Sequence, residues 1–232
     1  MARRRVNTTK TEIIQAMTRM FLERGYTNTS VRMICDELDM STGNLTFYFP
    51  SKEHMLLELV ELLCEFQWDM MEREANEGIS SVMAICLEFA AMATMRESNE
   101  TARDFYISSY TSPLCLAEIR ANDARRAREI FSAYRPDWQD EQYAEAEILV
   151  SGVEYATLMA AEGAVSLETR ISGALHNILG VYGVPPETRN AKIAKLFTMN
   201  YREVGERTLT DFKKYVAKAN EQALLNLLKR KK

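Results

Sequence analysis

Residues 30–52, SVRMICDELDMSTGNLTFYFPSK, constrain the chain more than any other stretch, because they require two short helices to meet at a tight turn. Val31, Ile34, Cys35 and Leu38 recur at i, i+3, i+4 and i+7, one apolar stripe on a short first helix. Ser30 is placed to cap its start, since a serine oxygen accepts a bond from an otherwise orphaned backbone N–H. Asp39-Met40 makes the turn, and Asp tolerates left-handed backbone better than most side chains. Ser41 caps a second helix, which ends before Pro50 because proline cannot continue the hydrogen-bond ladder and biases Phe49 out of helical conformation. Ser51 then restarts a third, longer helix.

A helix this short, held out by its neighbours, fits a major groove and presents side chains to base edges. Leu45 and Phe49, four apart, are its inward positions, which leaves Thr42, Gly43, Asn44 and Thr46 on the groove side. Asn44 is the most informative, because its amide can pair with the N6 and N7 edge of adenine. Phe47 and Tyr48 cannot both face a small core, so at least one is expected on sugar-phosphate. Lys52, in the first turn of the next helix, adds a cation beside exposed N–H groups. As ordinary surface polars of a three-helix domain, these residues would need no such role.

By order and spacing the segment resembles the DNA-binding domain of the tetracycline-repressor (TetR) family, whose pattern runs S-x-G-x-L-Y-x-(H/Y)-F-x-S-K-E-x-L. This chain has Ser41, Gly43, Leu45, Tyr48, Phe49, Ser51, Lys52 and Glu53 in register, and departs at Thr46 for tyrosine, Met55 for leucine and Asp39 for glycine. The Thr46 departure bears on one phosphate contact and leaves the helix intact. The resemblance covers roughly the first quarter of the chain. It implies an all-α fold: a three-helix helix-turn-helix domain over residues 1–54, then a larger helical effector-binding and dimerisation domain over 55–232. It also implies base contacts from Thr42, Gly43, Asn44 and Thr46, and phosphate contacts from Thr29, Phe47, Tyr48 and Lys52.

Composition agrees with an all-helical chain: among 232 residues there are only 9 Gly and 5 Pro. The most apolar run, Val82 to Met95, contains Glu88, so no membrane span is expected. The opening MARRRVNTTKTE is basic with no apolar region after it, so no secretory signal is expected either. Cys35, Cys64, Cys86 and Cys115 lie far apart within helical patterns, as small buried hydrophobes of a reducing cytoplasm would. The net charge is −4, yet residues 1–10 hold Arg3, Arg4, Arg5 and Lys10 without an acid, and the chain ends KRKK. An acidic body with basic ends suits a protein that meets DNA by one face.

Taken in order, residues 1–8 read as a flexible basic arm, either solvated or laid along DNA. Thr9 with Glu12 forms a capping-box pattern opening the first helix, and Gly25 is suited to end it. From Met55 a long helix joins the DNA-binding part to the body. Breaks are expected at 76–78, 98–99, 112–113, 135–137, 162–163, 183–186 and 204–205. Phe89, Met92, Phe105, Tyr106, Tyr110, Phe131, Tyr134 and Met159 are candidates for an adaptable apolar effector pocket, although each singly is more often plain core. Arg125, Arg126 and Arg128, flanked by Asp123 and Glu129, read as a solvated mixed-charge face. Gly152, Ala156 and Ala160 on one helix, with Ile171, Leu175, Ile178 and Tyr182 on the next, suit a four-helix dimer interface, the alternative being an intrachain pair. Residues 186–232 add two amphipathic helices.

The favoured function is a homodimeric, cytoplasmic, sequence-specific transcriptional regulator: a repressor released from a palindromic double-stranded DNA operator by a small-molecule effector. The same architecture acting through a protein partner is the alternative. An all-helical enzyme fits poorly, because His54 and His176 stand alone, with no nucleophile set, metal-spaced cluster or Gly-rich phosphate loop. No cofactor or metal is expected.

Overall fold

The computed structural model describes residues 2–160, 163 and 165–229, without the side chains of 2–9, 74–76 and 227–229. Among the described residues the chain is all helix: α1 Ala2–Arg24, α2 Val31–Glu37, α3 Thr42–Tyr48, α4 Lys52–Asn76, α5 Ser81–Ser98, α6 Glu100–Thr111, α7 Pro113–Phe131, α8 Asp140–Met159, α9 Leu167–Val181, α10 Pro186–Thr198 and α11 Tyr201–Lys229. The caps follow the local chemistry. Ser30, Ser41, Asn99, Ser112 and Ser166 each accept a backbone N–H from the first turn of the helix they precede. No described helix is long and apolar enough to cross a membrane.

The start of the chain differs from the sequence reading. Helix α1 begins at Ala2, not Thr9, so residues 2–8 belong to the helix where a flexible arm was expected, and Thr9 is not its cap. The basic end residues Arg230, Lys231 and Lys232 lie outside the described residues, as does the expected break at Glu162.

Two apolar cores are built. The first joins α1–α4 to α6 and α11, burying Phe21, Ile34, Leu45, Phe49 and Leu59 together with Phe105 and Phe212. The second lies among α5, α7, α8, α9 and α10, around Phe131, Tyr143, Ile171, Leu175 and Leu196. The boundary expected at 54/55 falls within continuous α4, and the helix-turn-helix is welded to the body. On α11, Asn220 donates to Thr18 of α1 at 3.0 Å in a buried bond. On α6, Asp104 accepts from the Thr27 amide at 2.8 Å and from its hydroxyl.

Gly205, expected to break a helix, sits inside α11. A Cβ there would meet the Ala91 carbonyl oxygen and the Thr94 Cβ at 3.2 Å each, so glycine permits the close crossing of α11 over α5. The break falls instead at Met199-Asn200. Gly205→Val is expected to cost about 1–3 kcal/mol through overpacking. Thermal unfolding would read this as a midpoint several degrees lower, and an unchanged midpoint would show that the crossing yields.

The expected dimer set divides. Gly152 and Ala156 are exposed on α8 and Ala160 is half-buried at its C-cap. Ile171 and Leu175 have no exposure, Ile178 3% and Tyr182 2%: these four face the protomer's own second core. They are therefore intrachain packing, because the apolar side of α9 is spent against α5 and α8.

Candidate nucleic-acid interface and internal cavity

The presentation of α3 follows from four residues. Asp39 adopts φ +48°, the left-handed step that lets the Met40 amide reach back to the Cys35 carbonyl at 3.0 Å and close α2. Ser41 accepts the Asn44 amide at 3.2 Å and opens α3. Leu45 and Phe49, 0% and 2% exposed, anchor the helix in the first core.

The opposite side is free. Thr42, Gly43, Asn44 and Thr46 are all exposed, as the sequence suggested for base readers. A Cβ at Gly43 would meet nothing nearer than the Ser41 Oγ at 3.9 Å, so no neighbour within the protein demands glycine there. The Thr46 hydroxyl donates to the Gly43 carbonyl at 3.1 Å, which leaves its methyl for an outside surface. Phe47 is 75% exposed, and the half-buried Tyr48 meets it edge to face at 5.2 Å.

Two expected phosphate contacts are placed otherwise. Thr29 has no exposure, and its hydroxyl donates to the Gly25 carbonyl at 2.8 Å. It is a buried staple of the turn, and its side chain does not face outward to a phosphate. Lys52 is folded inward: its Nζ donates to the Tyr26 carbonyl at 2.5 Å and lies 4.0 Å from the Tyr26 ring centroid. Burial lowers its ammonium pKa, partly offset by Asp104. To meet a phosphate, Lys52 must swing out. Arg32, on α2, was missed by the sequence reading. Its side chain is 87% exposed and its nearest acid, Asp36, is 3.9 Å away, so this guanidinium is available to an anion. The signal was its position beside, but off, the apolar stripe of α2.

Inside the body lies a cavity of about 100 Å³. Of the expected pocket residues, Phe89, Met92, Phe105, Tyr106, Tyr110 and Phe131 line it. Tyr134 and Met159 do not: Tyr134 packs half-buried, 6.5 Å from Phe131 between ring centroids, and Met159 is 44% exposed at the end of α8. Ile178 and Tyr182, expected at the dimer interface, line the cavity instead. Tyr182 stacks on Phe131 at 4.3 Å with the rings within 3° of parallel.

The cavity also carries charge that the sequence did not announce. Glu88, Asp123, Glu147 and Glu154 line it, with Arg126. Arg126 is 4% exposed and bonds Glu88 (3.1 Å from Nη1, and a second bond from Nη2) and Asp123 (3.3 Å), which corrects its assignment to a solvated face. Arg125 and Arg128 do face outward. Glu147 accepts the Tyr182 hydroxyl, and Glu154 accepts the Tyr110 hydroxyl at 2.7 Å. Burial pushes the Glu147 carboxyl up to about 8 and that of Glu154 well above its ordinary value, with further upward pressure from Asp123. The available signal was spacing: Glu147 and Glu154 stand seven apart on a helix face that otherwise carries Val150 and Ser151. All four cysteines are free and buried, and no group of three or more metal-ligating side chains occurs among the described residues.

Comparison with known proteins bears on the first of these regions. Residues 13–59 match the family model for bacterial regulatory proteins of the tetR family. An uncharacterized HTH-type transcriptional regulator, YuxN of Bacillus subtilis (strain 168), is 42% identical over 48 residues; the match spans 21% of this chain and 16% of that protein. Among solved structures, the TetR family protein CprB from S. coelicolor A3(2) overlaps 89% of this chain and 98% of its own, with 19% identity and a TM-score of 0.44. A gamma-butyrolactone receptor described as ArpA-like overlaps 84% and 98%, at 19% identity and a TM-score of 0.44. The similarity to bacterial regulatory proteins of the tetR family thus lies in residues 13–59, the helix-turn-helix and the start of α4.

Proposed function

We propose that the protein is a homodimeric, sequence-specific transcriptional repressor of the cytoplasm, released from a palindromic operator when a small molecule enters the cavity. The observation that carries the DNA half is α3 itself. Its apolar side is spent on Leu45 and Phe49, and Gly43 and Asn44 stand free beside it with no internal demand on the glycine. Thr42, Asn44 and the Thr46 methyl would read bases, Gly43 would admit the backbone closely, and Phe47, Tyr48, Arg32 and an outswung Lys52 would meet sugar-phosphate.

The dimer half rests on α8. Ile148 and Leu149, 55% and 60% exposed, continue through Gly152 and Ala156 to Met159 as an outward apolar stripe. Beyond Gly152 a Cβ would meet nothing within 4 Å, and the same holds for Gly173 on the outer side of α9. A second copy closing on these small residues gives a symmetric helix pair from each chain. Two-fold pairing is what places two α3 helices in major grooves about 34 Å apart.

The effector half rests on α6, which reaches both regions. Asp104, in its second turn, holds the Thr27 turn ahead of α2, and Phe105, Tyr106 and Tyr110 line the cavity. A ligand that binds better with α6 displaced shifts the pair of α3 helices away from groove spacing.

Fluorescence anisotropy with DNA from upstream of the protein's own gene tests the reading. Salt-sensitive, sequence-preferring binding by the folded dimer is expected. Arg32→Ala should weaken binding to every sequence alike, by roughly threefold to tenfold, and flatten the salt dependence by about one counterion. Equal affinity for specific and scrambled DNA would overturn the reading.

A further inference from the structure

We propose that the ligand of this cavity is an organic cation: an aromatic or alkyl body seated against Phe131, Tyr182, Phe105 and Met92, carrying its positive charge to Glu147 and Glu154. This deepens the effector reading and rests on it. Four carboxylates and one guanidinium line the space, and Arg126 is already committed to Glu88 and Asp123. Glu147 and Glu154 are left with phenol hydroxyls, which satisfy lone pairs and neutralise nothing.

A second observation points outward from Glu147 to a ligand. The residue is 2% exposed, and while its Oε1 accepts from Tyr182, its Oε2 has no hydrogen-bond partner. A buried carboxyl oxygen left without a partner is costly, and a neutral hydrocarbon would leave that cost in place. A cation offsets it. The stacked Phe131 and Tyr182 add π faces, which attract positive charge. Glu147 and Glu154 lie two turns apart on α8, about 10 Å along the axis, so the matching charge belongs to an extended body and not to one small ion.

Proton balance follows. With no ligand the Glu147 carboxyl is held protonated, so binding is an exchange: the cation enters, the carboxyl O–H bond breaks, and the proton leaves to solvent. Tyr182, Asp123, Arg126 and Arg120 act on Glu147, and Tyr110, Asp123, Glu147 and Glu88 on Glu154. The two arginines favour ionisation and the neighbouring carboxylates oppose it. Affinity for a permanent cation should therefore rise with pH, by up to about tenfold per unit below pH 8 for one proton released.

Titration calorimetry on the full chain at pH 7 tests the charge assignment with a matched pair. Benzyltrimethylammonium is compared with its neutral carbon analogue, neopentylbenzene. The cation is expected to bind at least about tenfold more tightly than its counterpart, with proton release visible across buffers of different ionisation enthalpy. Glu147→Gln combined with Glu154→Gln should erase the preference while leaving the melting temperature equal or higher, since glutamine matches the protonated acid in shape. A cation bound no better than its counterpart, or a preference that survives the double substitution, would overturn the proposal. Anisotropy on operator DNA separates the two readings. A neutral or anionic compound that releases DNA overturns the charge assignment alone. A tightly bound cation that leaves DNA affinity unchanged supports the charge assignment and overturns the effector role.

Discussion

Replacing Ile148 and Leu149 together with glutamate is expected to separate the dimer and lower operator affinity by about a hundredfold or more. The two side chains are 55% and 60% exposed in the isolated chain, so charging them should leave each protomer folded. In a pair they would be desolvated at the centre of a helical contact, where four carboxylates would repel one another. The loss at DNA is larger than any contact removed by the change. A tethered second half-site binds at an effective concentration near millimolar, and uncoupling two such sites typically forfeits 10²–10⁴ in affinity. Sedimentation velocity and anisotropy on the same preparations check both halves. A double variant that stays dimeric would place the interface elsewhere, and one that becomes monomeric yet binds operator undiminished would show that pairing is not needed.

The second large effect is on stability against pH. Glu147 titrates near 8 in the folded chain, against an ordinary glutamate value near 4.5. The folded state therefore holds a proton that the unfolded state has released across this interval. Stability falls as pH rises wherever the folded state binds more protons, so the contribution is whole below about pH 4.5 and is lost as pH passes through 8. Glu154, also raised, and Asp123, raised to about 6, act in the same direction. Glu168, lowered to about 2 by the Tyr201 hydroxyl and by Arg202, opposes them only below pH 4.5. Maximum stability is expected near pH 5, with a midpoint several degrees lower at pH 8.5. Glu147→Gln should flatten that slope and raise the midpoint at pH 8.5 by several degrees, since one kcal/mol corresponds to roughly 2–4 °C for a domain of this size. Differential scanning at pH 5, 7 and 8.5 reads it. A substitution that lowers stability at every pH would mean that Glu147 is ionised in the fold.

Much of the N-terminal architecture was legible because its determinants are local. Ser30, Asp39, Ser41 and Pro50 each act on backbone within a few residues, and the structure realises each of them. The motif spanning Ser41 to Glu53 pointed to the family that the model match over residues 13–59 bears out. What failed was tertiary. Gly205 looks like a helix breaker in sequence, and only the approach of Ala91 shows why a glycine is needed inside α11. The i, i+4, i+7 pattern of Ile171, Leu175 and Ile178 says that one face of α9 is buried, but not against what; the body's own α5 and α8 take it. Thr29 and Lys52 sit at positions where the family resemblance implied phosphate, and here the turn at Gly25–Tyr26 uses both. The acidic cavity was hidden for a different reason. Composition makes Glu and Asp the expected surface residues of a helical protein, so four of them turned inward carry no sequence signal beyond the sevenfold step from Glu147 to Glu154.

The central claim is that the outer side of α3 reads bases through Asn44, and a base-scanned operator tests it most directly. Anisotropy titrations of wild type and Asn44→Ala against a set of operators, each changed at one base pair, give an affinity for every position. The expected result is a wild-type penalty of about 1–3 kcal/mol at one position in each half-site, with Asn44→Ala losing that penalty and keeping the others. A penalty profile identical in both proteins, or a wild type indifferent to every base pair, would contradict the account.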